Sequence, residues 1–124
     1  MNIVDSSGWL AYFADEINAK HFMAPLSNPT MLVVPAITIY EVFKVILRES
    51  SENEALQAVV AMQKGEVIDL NISLALAAAR LSLEHRLPMA DSIILATAQE
   101  FKATIWTQDV DFKNINKVKY FSKK

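Results

Sequence analysis

The feature that most constrains this chain is an uninterrupted apolar run, Met31-Leu32-Val33-Val34-Pro35, which is short and lacks the polar alternation of a half-exposed strand. Such a strand is buried on both faces, as in a parallel sheet covered by helices. Ile3-Val4, Val67 to Leu70 and Thr104-Ile105-Trp106-Thr107 read as further short strands, and Val118 to Phe121 as a fifth at the edge. Helical patterns separate them. One follows the breaker Asp5-Ser6-Ser7-Gly8 through Trp9, Leu10, Tyr12 and Phe13, and another runs from Ile17 to Leu26. A third opens at Thr38, repeats its apolar side chains at Val42, Val45 and Ile46, and closes over Arg48 to Ser51. Glu54 to Lys64 is the next, with Gly65 as its C-terminal cap. Ser73 to His85, ended ahead of Pro88, and Ala90 to Phe101 complete the set. Strands joined through helices of this length need crossover connections, so the expected fold is α/β: a three-layer α/β/α sandwich with a central, mostly parallel sheet.

No linker, repeat or low-complexity segment divides the sequence, and 124 residues suffice for one core, so residues 1–124 are expected to form a single domain. The absence of cysteine excludes disulfides and thiolate metal sites, so any metal must bind oxygen or the two histidines, His21 and His85. Met1 to Asp5 lacks the pattern of a secretory signal, and the longest apolar stretch, Met31 to Ile37, is too short to span a bilayer. A cytoplasmic protein with no membrane association is the expectation. A net charge of -2 does not by itself mark a nucleic-acid binder. Lys113, Lys117, Lys119, Lys123 and Lys124 nevertheless fall in an acid-free tail, which reads equally as a local positive patch or a solvated terminus.

The acids are the informative residues. Asp5 follows the first strand, Glu41 lies just inside the helix after the second, Asp91 opens a later helix, and Asp109 follows the fourth strand. In an open parallel sheet the C-terminal strand ends share one edge, where a crevice forms at the topological switch point. Each acid also has a local explanation. Asp5 can cap a helix, Thr38-Ile39-Tyr40-Glu41 matches a capping box, Asp91 suits a first turn and Asp109 can start a turn. Gathered together they would repel one another and raise each other's pKa values unless a cation relieved them. An all-oxygen site suits a hard ion, Mg2+ or Mn2+, and such ions serve phosphodiester hydrolysis by polarising phosphoryl oxygen and activating water.

Four segments carry a family resemblance: Ile3-Val4-Asp5-Ser6-Ser7, Thr38-Ile39-Tyr40-Glu41, Ala90-Asp91-Ser92-Ile93-Ile94-Leu95-Ala96-Thr97-Ala98, and Thr107-Gln108-Asp109-Val110-Asp111-Phe112. In order and spacing the chain resembles a PIN domain, most closely the VapC-type toxins of toxin-antitoxin pairs. That resemblance implies a PIN-like nuclease domain over residues 1–124 and a metal-dependent endoribonuclease, with Asp5 and Asp91 leading the metal ligands and Glu41 and Asp109 completing the pocket. Ser7 and Thr107 match positions for polar groups beside the acids, where they orient a carboxylate or a metal-bound water, or else cap the adjacent loop. Asp111 matches the second acid of the family's Thr-x-Asp-x-Asp-Phe pattern. It is read instead as a turn or N-cap acid supporting the last segment, with contact to the metal left open. The resemblance further implies an RNA substrate, a cognate small antitoxin whose segment reaches the acidic pocket, and a homodimer.

Other chemistries lack their minimum parts. His21 and His85 form no His-Glu-x-x-His arrangement and read as surface or helix-end residues, no Gly-x-Ser-x-Gly elbow occurs, and no phosphate-binding loop with lysine is present. A calcium loop starting at Asp109 fails because Asn114 and Tyr120 occupy the positions of its glycine and glutamate. Trp9, Tyr12, Phe13, Tyr40, Phe43 and Trp106 offer base-stacking faces but read mainly as core or dimer contacts. The main alternative is a catalytically silent module whose pocket anchors a basic side chain of a partner. A phosphorylated receiver-like domain ranks third, since paired acids after the first strand and a lysine after the fourth are missing.

Overall fold

Short apolar strands alternating with helices build a parallel sheet covered on both faces. The computed structural model describes residues 1–123. Its strands are β1 (Asn2–Val4), β2 (Val33–Pro35), β3 (Glu66–Ile68), β4 (Thr104–Thr107) and β5 (Val118–Tyr120). Its helices are α1 (Ser6–Phe13), α2 (Ala19–Leu26), α3 (Ala36–Glu49), α4 (Glu52–Met62), α5 (Ile72–His85) and α6 (Met89–Phe101). β1 pairs with β4 and β4 with β5, β2 pairs with β3, and every ladder is parallel. A single parallel bridge, Asn2 to Leu32, joins the two pieces, giving the spatial order β3-β2-β1-β4-β5. The chain therefore leaves β1 toward one edge and later returns to its other side at β4, placing the switch point between these two strands.

The pleat separates the two cores. Ile3, Val33 and Ile105 pack with Leu74, Ala78 and Leu81 of α5 and Ile94 and Ala98 of α6. Val4 and Val34 point the opposite way, into Trp9 of α1, Phe22 of α2, Val42 of α3 and Ala58 and Met62 of α4. Consecutive strand residues thus serve opposite layers, which is why the sequence shows no polar alternation there. The three-layer expectation is met. No helix among the described residues is long and apolar enough to cross a membrane.

Several boundaries differ from the sequence reading, each for a local reason. Met31 closes a 3-10 turn, Pro29–Met31, so β2 begins at Val33. α2 begins at Ala19 instead of Ile17, and α4 at Glu52, where the Ser51 hydroxyl accepts from the Glu54 N–H at 3.1 Å. α3 starts at Ala36 with Pro35 at its N-cap, so Thr38 lies within the first turn and the capping-box reading of Thr38 and Glu41 fails. Gly65 is not the cap of α4, which ends at Met62 with Gln63 as C-cap, and its φ is not positive. Its smallness serves a close approach, since a Cβ there would sit 2.9 Å from the Leu32 carbonyl oxygen.

Among the tail lysines, Lys119 lies 4.3 Å from the centroid of the Trp106 ring and Lys113 lies 5.8 Å from that of Tyr120, so both are seated on aromatic faces. Lys124 lies outside the described residues.

Candidate active site

The exits of β1 and β4 bring the first acid to its place. The Asp5 N–H donates to the Trp106 carbonyl at 3.2 Å, which extends the β1–β4 ladder to the switch point. The side chain is 1% exposed. Its Oδ1 accepts from the Ser7 hydroxyl at 2.7 Å and the Gly8 N–H at 3.0 Å, and its Oδ2 accepts from the Thr107 hydroxyl at 2.6 Å. Asp5 is therefore the N-cap of α1, as the local reading of the sequence has it, and this cap also fixes its carboxylate at the strand edge. Gly8 permits this geometry, because a Cβ there would meet Val4 Cγ1 at 2.6 Å and the Phe22 ring at 2.8 Å.

The other acids converge on the same edge. Asp91 lies in the first turn of α6, favoured there by the helix dipole. One carboxylate oxygen from each of Asp91, Asp109 and Asp111 lies within 4.8 Å of the other two. Asp109 caps the 3-10 turn Val110–Phe112 by accepting from the Asp111 N–H at 2.9 Å. Asp111 lies inside that turn, as the turn reading has it, and its carboxylate nonetheless stands beside those of Asp91 and Asp109. Asp111 remains exposed, at the solvent side of the group. Glu41 projects from the second turn of α3, outside the close trio yet near enough for its charge to act on Asp91. Its Oε1 is buried without a hydrogen-bond partner.

Electrostatics record the crowding. Burial pushes the Asp5 carboxyl up to about 6, against the downward pull of Thr107, Ser7 and Gly8, with the charge of Asp109 adding to the rise. Burial, followed by the charges of Asp109, Asp5, Glu41 and Asp111, pushes Asp91 up to about 7. Glu41 is raised by burial and by Asp109, while a hydrogen bond from Ser6 pulls it the other way. Among the described residues the only ion pairs are Arg48 with Glu49 and His85 with Glu84, so no basic side chain neutralises these acids at pairing distance. An all-carboxylate donor set, a buried oxygen without a partner and the missing counter-charge fit a hard divalent cation.

Sequence reading missed three contributors. Ser6 stood in a breaker and in one of the resembling segments with no role of its own, although its hydroxyl serves Glu41. Asn18 and Gln108, each 6% exposed, form a buried amide pair behind Ser7, and an isolated polar residue in a loop carries no signal of such a contact. The aromatics divide as expected for core residues in part: Trp9 is buried and stacked on Phe13, whereas Tyr12 and Tyr40 are exposed. His85 ends α5, and His21 stacks on Phe121.

A doubly wound parallel sheet with carboxylates collected at its switch point defines a class, the acid-site α/β domains. The chain belongs to the PIN domain family, whose profile matches residues 3–118. A search of curated proteins found no match. Among solved structures, the chain is similar to a protein of a toxin-antitoxin complex from Klebsiella pneumoniae (24% identity, TM-score 0.82, covering 98% of this chain and 99% of that one). It is also similar to the sarcin-ricin-loop-cleaving toxin VapC20 of Mycobacterium tuberculosis (16% identity, TM-score 0.81, 95% and 97% covered). A DNA-bound VapBC complex from Salmonella typhimurium contains a third such chain (14% identity, TM-score 0.74, 100% of both chains covered).

Proposed function

We propose that this chain is a metal-dependent endoribonuclease, the toxin of a toxin-antitoxin pair, working in the cytoplasm with Mg2+ or Mn2+ held by Asp5, Glu41, Asp91 and Asp109. The observation that carries the reading is the gathering of these acids at one strand edge with no cationic side chain paired to them among the described residues. Asp111 joins the set at its solvent side, where it helps hold the ion directly or through water. When bound, the ion supplies Lewis acidity toward a phosphoryl oxygen and lowers the pKa of a coordinated water. The protein's part is positional. Ser7 and Thr107 fix the Asp5 carboxylate, Ser6 steadies Glu41, and the α6 N-terminus favours ionised Asp91. The whole of residues 1–124 acts as the nuclease domain in this proposal.

The antitoxin proposal draws on a groove of about 710 Å³ between α1, α3 and α4. It reaches Ser7 and Gln108 beside the acids, and its lining includes the apolar Leu10, Phe13 and Ile46 and three acids, Glu16, Glu49 and Glu54, against one base, Lys123. An apolar segment bearing basic side chains complements it, and the toxin-antitoxin assembly of the Klebsiella protein supports such a partner. The proposed homodimer draws on exposed Tyr40 and Leu47 of α3 and Leu56 and Val60 of α4. The same groove also favours a second reading, a silent module acting through its partner alone. Incubation with RNA decides between them: cleavage in Mg2+ or Mn2+, abolished by chelator and by Asp91→Asn, supports the nuclease. Tight partner binding without cleavage in either metal supports the silent module.

A further inference from the structure

Behind the Asp5 carboxylate lies a layer of neutral hydrogen bonds that the acids alone do not explain. The Ser7 hydroxyl accepts from the Gln108 N–H at 3.2 Å, and the Thr107 hydroxyl accepts from the Asp109 N–H at 2.8 Å. A hydroxyl has one proton to give. An ionised carboxylate can only accept, so both protons go to Asp5, at 2.7 and 2.6 Å, and neither is left for the 3.4 Å contact between the two hydroxyls. The loop after β4 thus holds the Ser7 and Thr107 oxygens in place, and through them Asp5.

That loop is itself anchored from behind. Gln108 gives its amide N–H to the Ser7 carbonyl at 3.3 Å and accepts from Asn18 Nδ2 at 3.0 Å. The same Asn18 amide reaches the Ser122 carbonyl at 2.9 Å and the Phe121 carbonyl at 3.5 Å, just past β5. Phe121 is packed in turn against His21, with ring centroids 4.5 Å apart and ring planes nearly parallel, and edge-on against Phe22. Residues from four parts of the chain, α1, the start of α2, the β4 exit and the β5 exit, meet in one clamp with Asn18 and Gln108 buried at its centre.

We propose that Asn18 and Gln108 are positioning residues for the metal centre, setting the orientation of Asp5 through Ser7 and coupling it to the segment after β5. This rests on the proposed metal-binding role of Asp5. Outer partners of metal ligands typically change affinity or activity by about 10- to 100-fold when removed. Removing the Asn18 amide releases Gln108 and the Phe121–Ser122 carbonyls together, so the Ser7 hydroxyl loses its fixed direction although Asp5 itself is untouched.

The test is Mn2+ titration of the metal-free full-length protein by calorimetry, at a temperature well below melting, for wild type, Asn18→Ala and Gln108→Ala. Each variant is expected to bind Mn2+ roughly 10-fold or more weakly. At limiting Mn2+ their RNA cleavage should fall and be restored by raising the metal concentration, with KM for RNA unchanged. Packing damage alone would lower the melting temperature without either effect. Folded variants with affinity within about twofold of wild type would overturn the proposal. If the alanine variants do not fold, Gln108→Met, which keeps the side-chain length and the backbone bond to Ser7 but removes the amide, carries the same expectation and the same refutation. Absence of Mn2+ binding by the wild type would instead overturn the metal-site reading on which the clamp rests.

Discussion

The acidic site has two sides built on different physics. On the β1 side, Asp5 is buried deeper than its neighbours, but three donors meet its two oxygens, and its carboxyl rises only to about 6. On the α6 side, Asp91 faces Asp109 and Asp111 without a side-chain hydrogen bond among the described residues, and its carboxyl rises to about 7. The protein itself holds Asp5 in place. Asp91 and its neighbours depend on something brought from outside, a proton or a cation. A buried charge costs free energy unless it is hydrogen-bonded or paired, and the site meets that cost in one way on each side.

The contrast is tested most severely at Asp91. Asp91→Asn should lower RNA cleavage by more than about 100-fold, beyond what outer partners of a metal ligand produce. It should also raise the melting temperature of the metal-free protein at pH 8 by several degrees, because a charge among like charges is gone. A gel cleavage assay and thermal denaturation in chelator check both. A loss of stability at pH 8 would mean that Asp91 is held by favourable contacts, as Asp5 is, and would break the comparison.

Next comes the pH response. Asp5 and Asp91 are raised from ordinary values of 3.8, so the folded state keeps protons that the unfolded chain releases. Their contribution to stability is fully present below about pH 4 and is lost as pH rises through about 6 and 7. Metal-free protein should therefore melt at a lower temperature at pH 8 than at pH 5. Mn2+ should restore the difference at pH 8 and do little at pH 5, where protons occupy its ligands. Equal Mn2+ shifts at both pH values would show that metal does not meet the ionised acids.

Thr107 probes the self-sufficient side. Thr107→Val leaves Asp5 Oδ2 without a donor and the Asp109 N–H without an acceptor, so stability should fall by about 1–3 kcal/mol. Mn2+ affinity should drop by about 10-fold, and Thr107→Ser should recover both. The smallest effect is expected at the rim, where Asp111→Asn should weaken Mn2+ binding by roughly threefold or less, since exposed ligands are readily replaced by water. A loss as large as that of Asp91→Asn would move Asp111 into the centre of the site.

Much of this was legible in the residues. The unbroken apolar run around Val33 and Val34 required a strand covered on both sides, and the helical spacing between strands required parallel crossovers. Asp5, Glu41, Asp91 and Asp109 could be ranked as one group because each stood at a strand exit or near a helix entry. The pattern was less reliable within a turn. A capping box at Thr38 obeyed local rules yet lost to Pro35, which had already started α3, and the turn reading of Asp111 gave no sign that its carboxylate joins the other acids.

What the sequence alone determined was the periodicity of its elements and the positions of its acids along them, because backbone geometry and hydrophobic spacing act over a few residues. That Thr107 joins the local donors Ser7 and Gly8 at Asp5, why Asp91 is left facing other carboxylates, and how Asn18 and Gln108 join the β5 exit to Ser7 were decided only by the tertiary structure. The Thr107–Asp5, Asn18–Gln108 and Asn18–Ser122 contacts join residues about a hundred positions apart, and no local preference of either partner encodes them. They exist because the strand order places β4 beside β1.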